Sequence, residues 1–187
     1  MLDLFKIRFS TLWITGTVMA FQVQPAWTKT YEAIKGESTL TYVLVHPMHK
    51  ITSVSRDFNC AVDLSPDTLT SHIKVNAAVS SFDSKSSSRD SHAMEWVQAH
   101  KFPMVSFVSQ SVKKVGEEYL VSGQLTFHGK TRPIEFKVTP LLSDHKIEIT
   151  GGFEVRLSDF DLKRPSLLFV PTEDKLTISF DLFSAAY

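Results

Sequence analysis

Large apolar residues alternate with polar ones along most of this chain, and residues 119–138 show the pattern best. Tyr119, Val121, Leu125 and Phe127 fall on one side of a first run, with Gly123 between them. Ile134, Phe136 and Val138 fall on one side of a second, and Gly129-Lys130-Thr131-Arg132-Pro133 separates the two as a turn. A period of two marks a half-buried strand, and two such runs across a turn predict an antiparallel pair.

The same reading predicts about eight strands in all. Thr39–His46 carries Leu40, Tyr42, Leu44 and His46 on one face, and residues 54–64 carry Phe58, Cys60, Val62 and Leu64. Residues 72–79 present Ile73, Val75, Ala77 and Val79; residues 104–112 follow Pro103 and include Phe107. Residues 147–155 present Ile149, Gly151 and Phe153, and residues 176–182 present Leu176, Ile178, Phe180 and Leu182. A sheet of this extent closes on itself, and closure creates an apolar interior. The expected fold is all-β, an extended antiparallel barrel of about eight strands.

One segment breaks the alternation. Residues 80–91 are polar and Ser-rich and read as a loop; the next residues, 90–100, place Ala93, Met94, Trp96 and Val97 at helical spacing. Ser88 or Asp90 is the expected cap of this short helix, and Pro103 prevents its continuation. A helix there is either a lid on a barrel end or a plain connector.

On this register Leu40, Tyr42, Leu44, Phe58, Val62, Ile73, Val75, Phe107, Leu125, Phe127, Phe136, Ile149, Phe153, Ile178 and Phe180 project inward. A barrel of about eight strands is either filled by its side chains or holds one elongated ligand. The length of the runs favours a cavity.

The beginning of the chain has a different character. Lys6 and Arg8 precede an apolar run over residues 9–23, and small residues follow at Ala20 and Ala26. That order predicts a signal peptide over residues 1–26, cut after Ala20 or Ala26, and one domain over residues 27–187. The alternative is a retained membrane anchor, although Ser10, Thr11, Thr15, Gly16, Thr17 and Gln22 interrupt the run.

The chain has 20 basic and 20 acidic residues; without Asp3, Lys6 and Arg8 these become 18 and 19. So neutral a domain offers no broad surface to nucleic acid or to an anionic membrane. Cys60 is the single cysteine, which excludes an internal disulfide, and its apolar face predicts a buried thiol.

Catalytic patterns are weak. The chain has no G-x-S-x-G elbow, no phosphate-binding glycine loop and no H-E-x-x-H; Ser71-His72-Ile73-Lys74 matches S-x-x-K without the other parts of that chemistry. Histidine is the exception. His46 and His49 flank a His-Pro-Met-His turn, His92 opens the helix and His128 ends a strand. Gathered at one rim they would ligate zinc, copper or haem iron. Kept apart, they would orient loops by hydrogen bonds to backbone carbonyls.

The strand ending in His46, Ser88-Arg89-Asp90-Ser91-His92, Phe102-Pro103-Met104-Val105-Ser106-Phe107 and the Gly-x-Leu-Thr-x-x-Gly-x-Thr-x-Pro pattern over residues 123–133 are motifs that stand out. Together they resemble the YceI family of lipocalin-like, polyisoprenoid-binding periplasmic proteins. The resemblance runs from about residue 38 to residue 185. It departs at His46-Pro47-Met48-His49. It departs again at Leu157-Ser158-Asp159-Phe160-Asp161, where the family often has Arg-x-Asp-Phe-Gly and where Arg156 or Arg164 is the available replacement.

The resemblance implies an exported, periplasmic, non-catalytic protein holding an isoprenoid, quinone-like or other long-chain lipid inside the barrel. It requires no cofactor. His46, Arg89, Asp90 and His92 are the expected mouth of the pocket. The expected partners are the lipid itself and, transiently, a membrane, with a monomer or homodimer as the assembly. The rival is a metal- or haem-linked envelope protein using His46, His49, His92 and His128.

Overall fold

A computed structural model describes residues 29–64, 72–143 and 146–186. The expected signal peptide over residues 1–26 and Ser71 of the S-x-x-K match lie outside the described residues.

The strands are β1 (Lys29–Ala33), β2 (Thr39–His46), β3 (His49–Ser55), β4 (Phe58–Leu64), β5 (His72–Ala78), β6 (Met104–Val115), β7 (Glu118–Phe127), β8 (Lys130–Ser143), β9 (Lys146–Arg156), β10 (Ser166–Leu167), β11 (Val170–Pro171) and β12 (Lys175–Ala186). Among the described residues one α-helix, α1 (Ser87–Trp96), lies between β5 and β6. Strands β1-β4-β5-β6-β7-β8-β9-β12 pair in that order, and β12 returns to β1, so eight strands close an antiparallel barrel. The expected fold class is the observed one.

The barrel borrows a second hairpin. The first half of β12 pairs with β2, which carries β3, whereas its last residues pair with β1. Thus β1 and β2 are two pieces of one broken strand on the same edge of β12. Ser38, 1% exposed, spans the break: its hydroxyl donates to Phe183 O at 3.1 Å and accepts the Phe183 N–H at 3.0 Å. The opposite strand breaks at the same level. Residues 54–64, expected as one strand, divide into β3 and β4 at Arg56-Asp57, and Gly36 N donates to Arg56 O across the two breaks.

Alternation places the core as expected, with one adjustment. Strand β6 shifts register between Ser109 and Ser111. The extra residue restores Val112 to the interior after Phe107 and Ser109, all three being buried. Small residues make room for large ones: a Cβ on Gly123 would lie 2.6 Å from Phe107 Cζ.

The turn after β7 is shorter than the sequence suggests. His128 and Gly129 form it alone, with φ of 48° and 71°, and Lys130 to Pro133 already belong to β8. Pro133 is tolerated because β8 joins β9 only over residues 138–143. Higher up it has β7 as its ladder partner, and an edge-like strand accommodates a missing N–H. A 3-10 turn at Leu157–Phe160 spans the gap this leaves, with Arg132 Nε donating to Asp159 O at 2.8 Å.

The helix begins at Ser87 and ends at Trp96, rather than covering residues 90–100. Ser86 is its N-cap in extended conformation, and Gln98 at φ 51° stops it. The expected caps are corrected: Ser88 and Asp90 lie inside the first turn. Asp90 reaches back, its carboxylate accepting the Ser84 N–H at 3.1 Å.

Candidate functional site

The barrel encloses a cavity of about 750 Å³ that opens at the end where α1 sits. Its wall follows directly from strand pairing, because residues opposite one another on antiparallel strands share a face. Ile178 stands between Tyr42 and Phe153, and Phe180 between Leu40 and Gly151. On the other side Val75 stands between Cys60 and Phe107, and Ile73 opposite Val62. Leu125 pairs with Phe107, and Phe127, Phe136, Leu44, Phe58 and Ile149 complete the set. All fifteen residues expected to point inward line this one cavity.

Four of them form an aromatic cluster centred on Phe136. Its ring lies 5.1 Å from that of Phe153, nearly parallel, 5.3 Å from Phe107 and 5.8 Å from Phe180. Phe136 and Phe153 lie on strands that are not laddered at this height, so ring packing ties the two strands together.

Polar groups gather at the open end. Arg89, Asp90 and His92 of α1 face the cavity there, together with His46, His49, Ser86 and Ser88. Arg89 and Asp90 also fasten the helix: Arg89 Nη1 donates to Ser84 O at 3.1 Å, beside the Asp90 contact to Ser84 N. Burial raises the pKa of the Tyr42 hydroxyl, opposed first by Ser53, with Asp90 adding to the rise and Arg89 opposing it. Helix α1 is a cover rather than a connector, since its Ala93, Met94 and Trp96, with Val97 just past its end, all line the cavity.

Sequence reasoning missed part of this wall. Ile51 lies on β3, which sits too close to the His-Pro-Met-His turn to show as a strand. Pro165, Ser166, Leu167 and Thr172 line the mouth from the segment between β9 and β12. The apolar run Leu167-Leu168-Phe169 was the available signal.

His46, His49 and His92 line the same cavity and His128 does not, and the four form no common ligand set, which corrects the metal-cluster expectation. Among the described residues, no three His, Cys, Asp or Glu side chains form a group able to hold a metal ion. His46 and His49 are neighbours, with ring centroids 5.2 Å apart. The His46 ring is already committed: Nδ1 accepts the Met48 N–H at 3.2 Å, and Nε2–H donates to Val170 O at 2.9 Å. His128 donates from Nδ1 to Phe160 O at 2.9 Å and packs edge-on against Phe102, away from the cavity. Both orient loops through backbone carbonyls.

The altered motif after β9 also has a local account. Leu157, standing where the family pattern has Arg, is fully buried, whereas Arg156 and Arg164 are exposed and neither fills its place. Asp161, standing in place of Gly, takes φ 56° and pairs with Lys130 at 2.8 Å. Aspartate is among the residues that tolerate left-handed backbone, so the turn survives the exchange.

Known proteins share this architecture. The crystal structure of Burkholderia cenocepacia BcnA superposes with a TM-score of 0.75 at 20% identity, over 81% of this chain and 98% of that one. A polyisoprenoid binding domain from Saccharophagus degradans, implicated in plant cell wall breakdown, gives 0.63 at 16% identity over 84% and 98%. Protein YceI of Salmonella arizonae is 35% identical over 99 residues, 48% of this chain and 52% of that protein. The chain thus spans about half the length of the curated relatives it matches. The YceI-like domain model matches residues 31–183, which takes in every strand from β2 to β11 and most of the cavity wall, and the chain belongs to that family.

Proposed function

We propose that this protein is an exported, non-catalytic binding protein that holds one isoprenoid or similar long-chain amphiphile in the barrel, for carriage, storage or sensing. The observation that carries the reading is the segregation of the cavity: apolar side chains along its length, the fifteen expected ones among them, and ionic and imidazole groups at its open end. An amphiphile matches that division, tail inward and head group at Arg89, Asp90 and His92. The polyisoprenoid named for the Saccharophagus degradans domain agrees in chemical class.

Energetics favour exchange over irreversible capture. Burying apolar carbon is worth about 0.8 kcal/mol per methylene against water. A long tail would then exceed any attainable affinity, so water is the wrong reference state. The competing environment is a membrane, already apolar. Transfer between bilayer and cavity is therefore close to neutral, and selectivity comes from cavity shape and the few polar groups at the mouth.

The test is extraction of untagged protein, purified from its native envelope, followed by mass spectrometry of the organic phase. A stoichiometric isoprenoid or quinone is expected. Phe136→Glu should abolish its retention by putting a charge at the centre of the aromatic cluster, while Phe136→Leu should keep it. Lipid retained by the glutamate variant would sink the assignment of the cavity.

A further inference from the structure

Exposed large apolar residues on the barrel wall, such as Met104, Val108, Val115 and Leu141, are scattered, and scattered ones need no partner. The hairpin β10–β11 differs. Leu167, Leu168, Phe169 and Val170 are consecutive and exposed, with Leu168 at 72% and Phe169 at 101%. Leu168 and Phe169 are the two turn residues and have φ of 51° and 67°. Two-residue hairpin turns of this kind favour Asn and Gly, because large side chains are disfavoured at positive φ. Turn chemistry and solubility both oppose a Leu-Phe pair at this tip.

The tip is continuous with the cavity. Leu167, beside Pro165 and Ser166, lines the mouth, and the next two residues face outward. The neighbouring β2–β3 turn adds Met48, 66% exposed. His46, only 3% exposed, locks the two loops into one face through its bonds to Met48 N and Val170 O. Residues 162–171 read LKRPSLLFVP and carry the exposed cations Lys163 and Arg164; of the flanking acids, Asp161 is paired with Lys130 and Asp174 is bonded to Ser158, while Glu173 lies at the far side of Pro171.

We propose that this face docks on an anionic membrane surface, with Leu168 and Phe169 entering the acyl boundary and Lys163 and Arg164 level with the head groups. A second copy of the chain fits poorly, because a four-residue tip falls far short of the roughly 800 Å² per partner of a stable protein interface. A bilayer requires only an apolar wedge with adjacent cations. The inference rests on the cavity being a lipid site: docking sets its mouth against the bilayer, so that an apolar tail need not cross water.

The test compares untagged wild type with L168N/F169G by flotation with phosphatidylethanolamine–phosphatidylglycerol vesicles. The Asn-Gly pair suits the turn, so the variant keeps or improves its fold, and neither residue lines the cavity. The expected result is a fall in vesicle partitioning of about tenfold or more. Uptake of fluorescent geraniol, supplied below its micellar concentration, should be the same for both proteins. Equal flotation of both, or flotation of neither, overturns the proposal. So does a wild-type dimer in sedimentation that the variant dissolves, which would assign the tip to a second copy. Failure of both proteins to take up the soluble probe overturns the lipid reading of the cavity instead, and flotation still decides docking.

Discussion

The Phe180 ring lies across Gly151 on the adjoining strand, so close that a Cβ there would stand 2.6 Å from Phe180 Cζ. The same Cβ would come within 3.0 Å of Lys137 O, which is backbone and cannot swing aside. Gly151→Ala should therefore displace Phe180 toward the cavity and cost about 1–3 kcal/mol, typical of overpacking. Chemical denaturation measures the cost. A Phe180→Leu change in the same background should recover part of it by removing the ring edge.

Trp96 ties the helix to the segment across the mouth by donating from Nε1 to Lys163 O at 2.8 Å. Trp96→Phe keeps the aromatic surface and removes the bond, at a stability cost of about 0.5–1.5 kcal/mol. Because the bond joins the two sides of the opening, release of a fluorescent prenyl alcohol should quicken more than the lost stability alone explains. Unchanged release, measured by stopped flow, would mean that the helix does not gate the cavity.

Asp174 holds the 3-10 turn at Leu157–Phe160. Its carboxylate accepts the Ser158 hydroxyl at 2.6 Å and the Ser158 N–H at 3.0 Å, and its pKa is lowered, first by the Ser158 hydroxyl. A depressed carboxylate contributes stability that is fully present above its unfolded pKa and is lost as pH falls through the folded value. Asp174→Asn should lower stability near neutral pH by about 1 kcal/mol after allowance for solvent screening. The gap between variant and wild type should close below about pH 4, which thermal melts across that range would show.

Cys60 sits 4% exposed in the barrel wall, and burial pushes its thiol up to about 12. The reactive species is the thiolate, so the native protein should resist thiol reagents at neutral pH. Labelling should appear only with unfolding, and its rate should follow the rate of opening as denaturant rises. Rapid labelling of native protein would show that the wall opens between β4 and β5.

The strands that the sequence made legible are those where alternation is long and uninterrupted. Residues 119–127 and 134–138 are examples, and their inward faces are the observed ones. The unread elements failed for particular reasons. Strand β3 carries Lys50, Thr52 and two serines, and its buried Ser53 and Ser55 look polar in sequence but face the interior. The Ser-rich start of α1 reads as loop because serine favours helix ends over interiors, and here it occupies the end. Strands β10 and β11 have two residues each, too few for any period to show.

The sequence by itself determined a closed all-β barrel, its apolar lining and its family, because side-chain parity along a strand is a local property that pairing preserves. Only the tertiary structure decided how the mouth is built. His46 and His128 turned out to hold loops instead of converging on a metal, since each finds a carbonyl from a segment more than 30 residues away. The same holds for the Leu168-Phe169 tip. Its exposure depends on which side of the rim the hairpin folds, and that is set by long-range contacts such as the one between His46 and Val170.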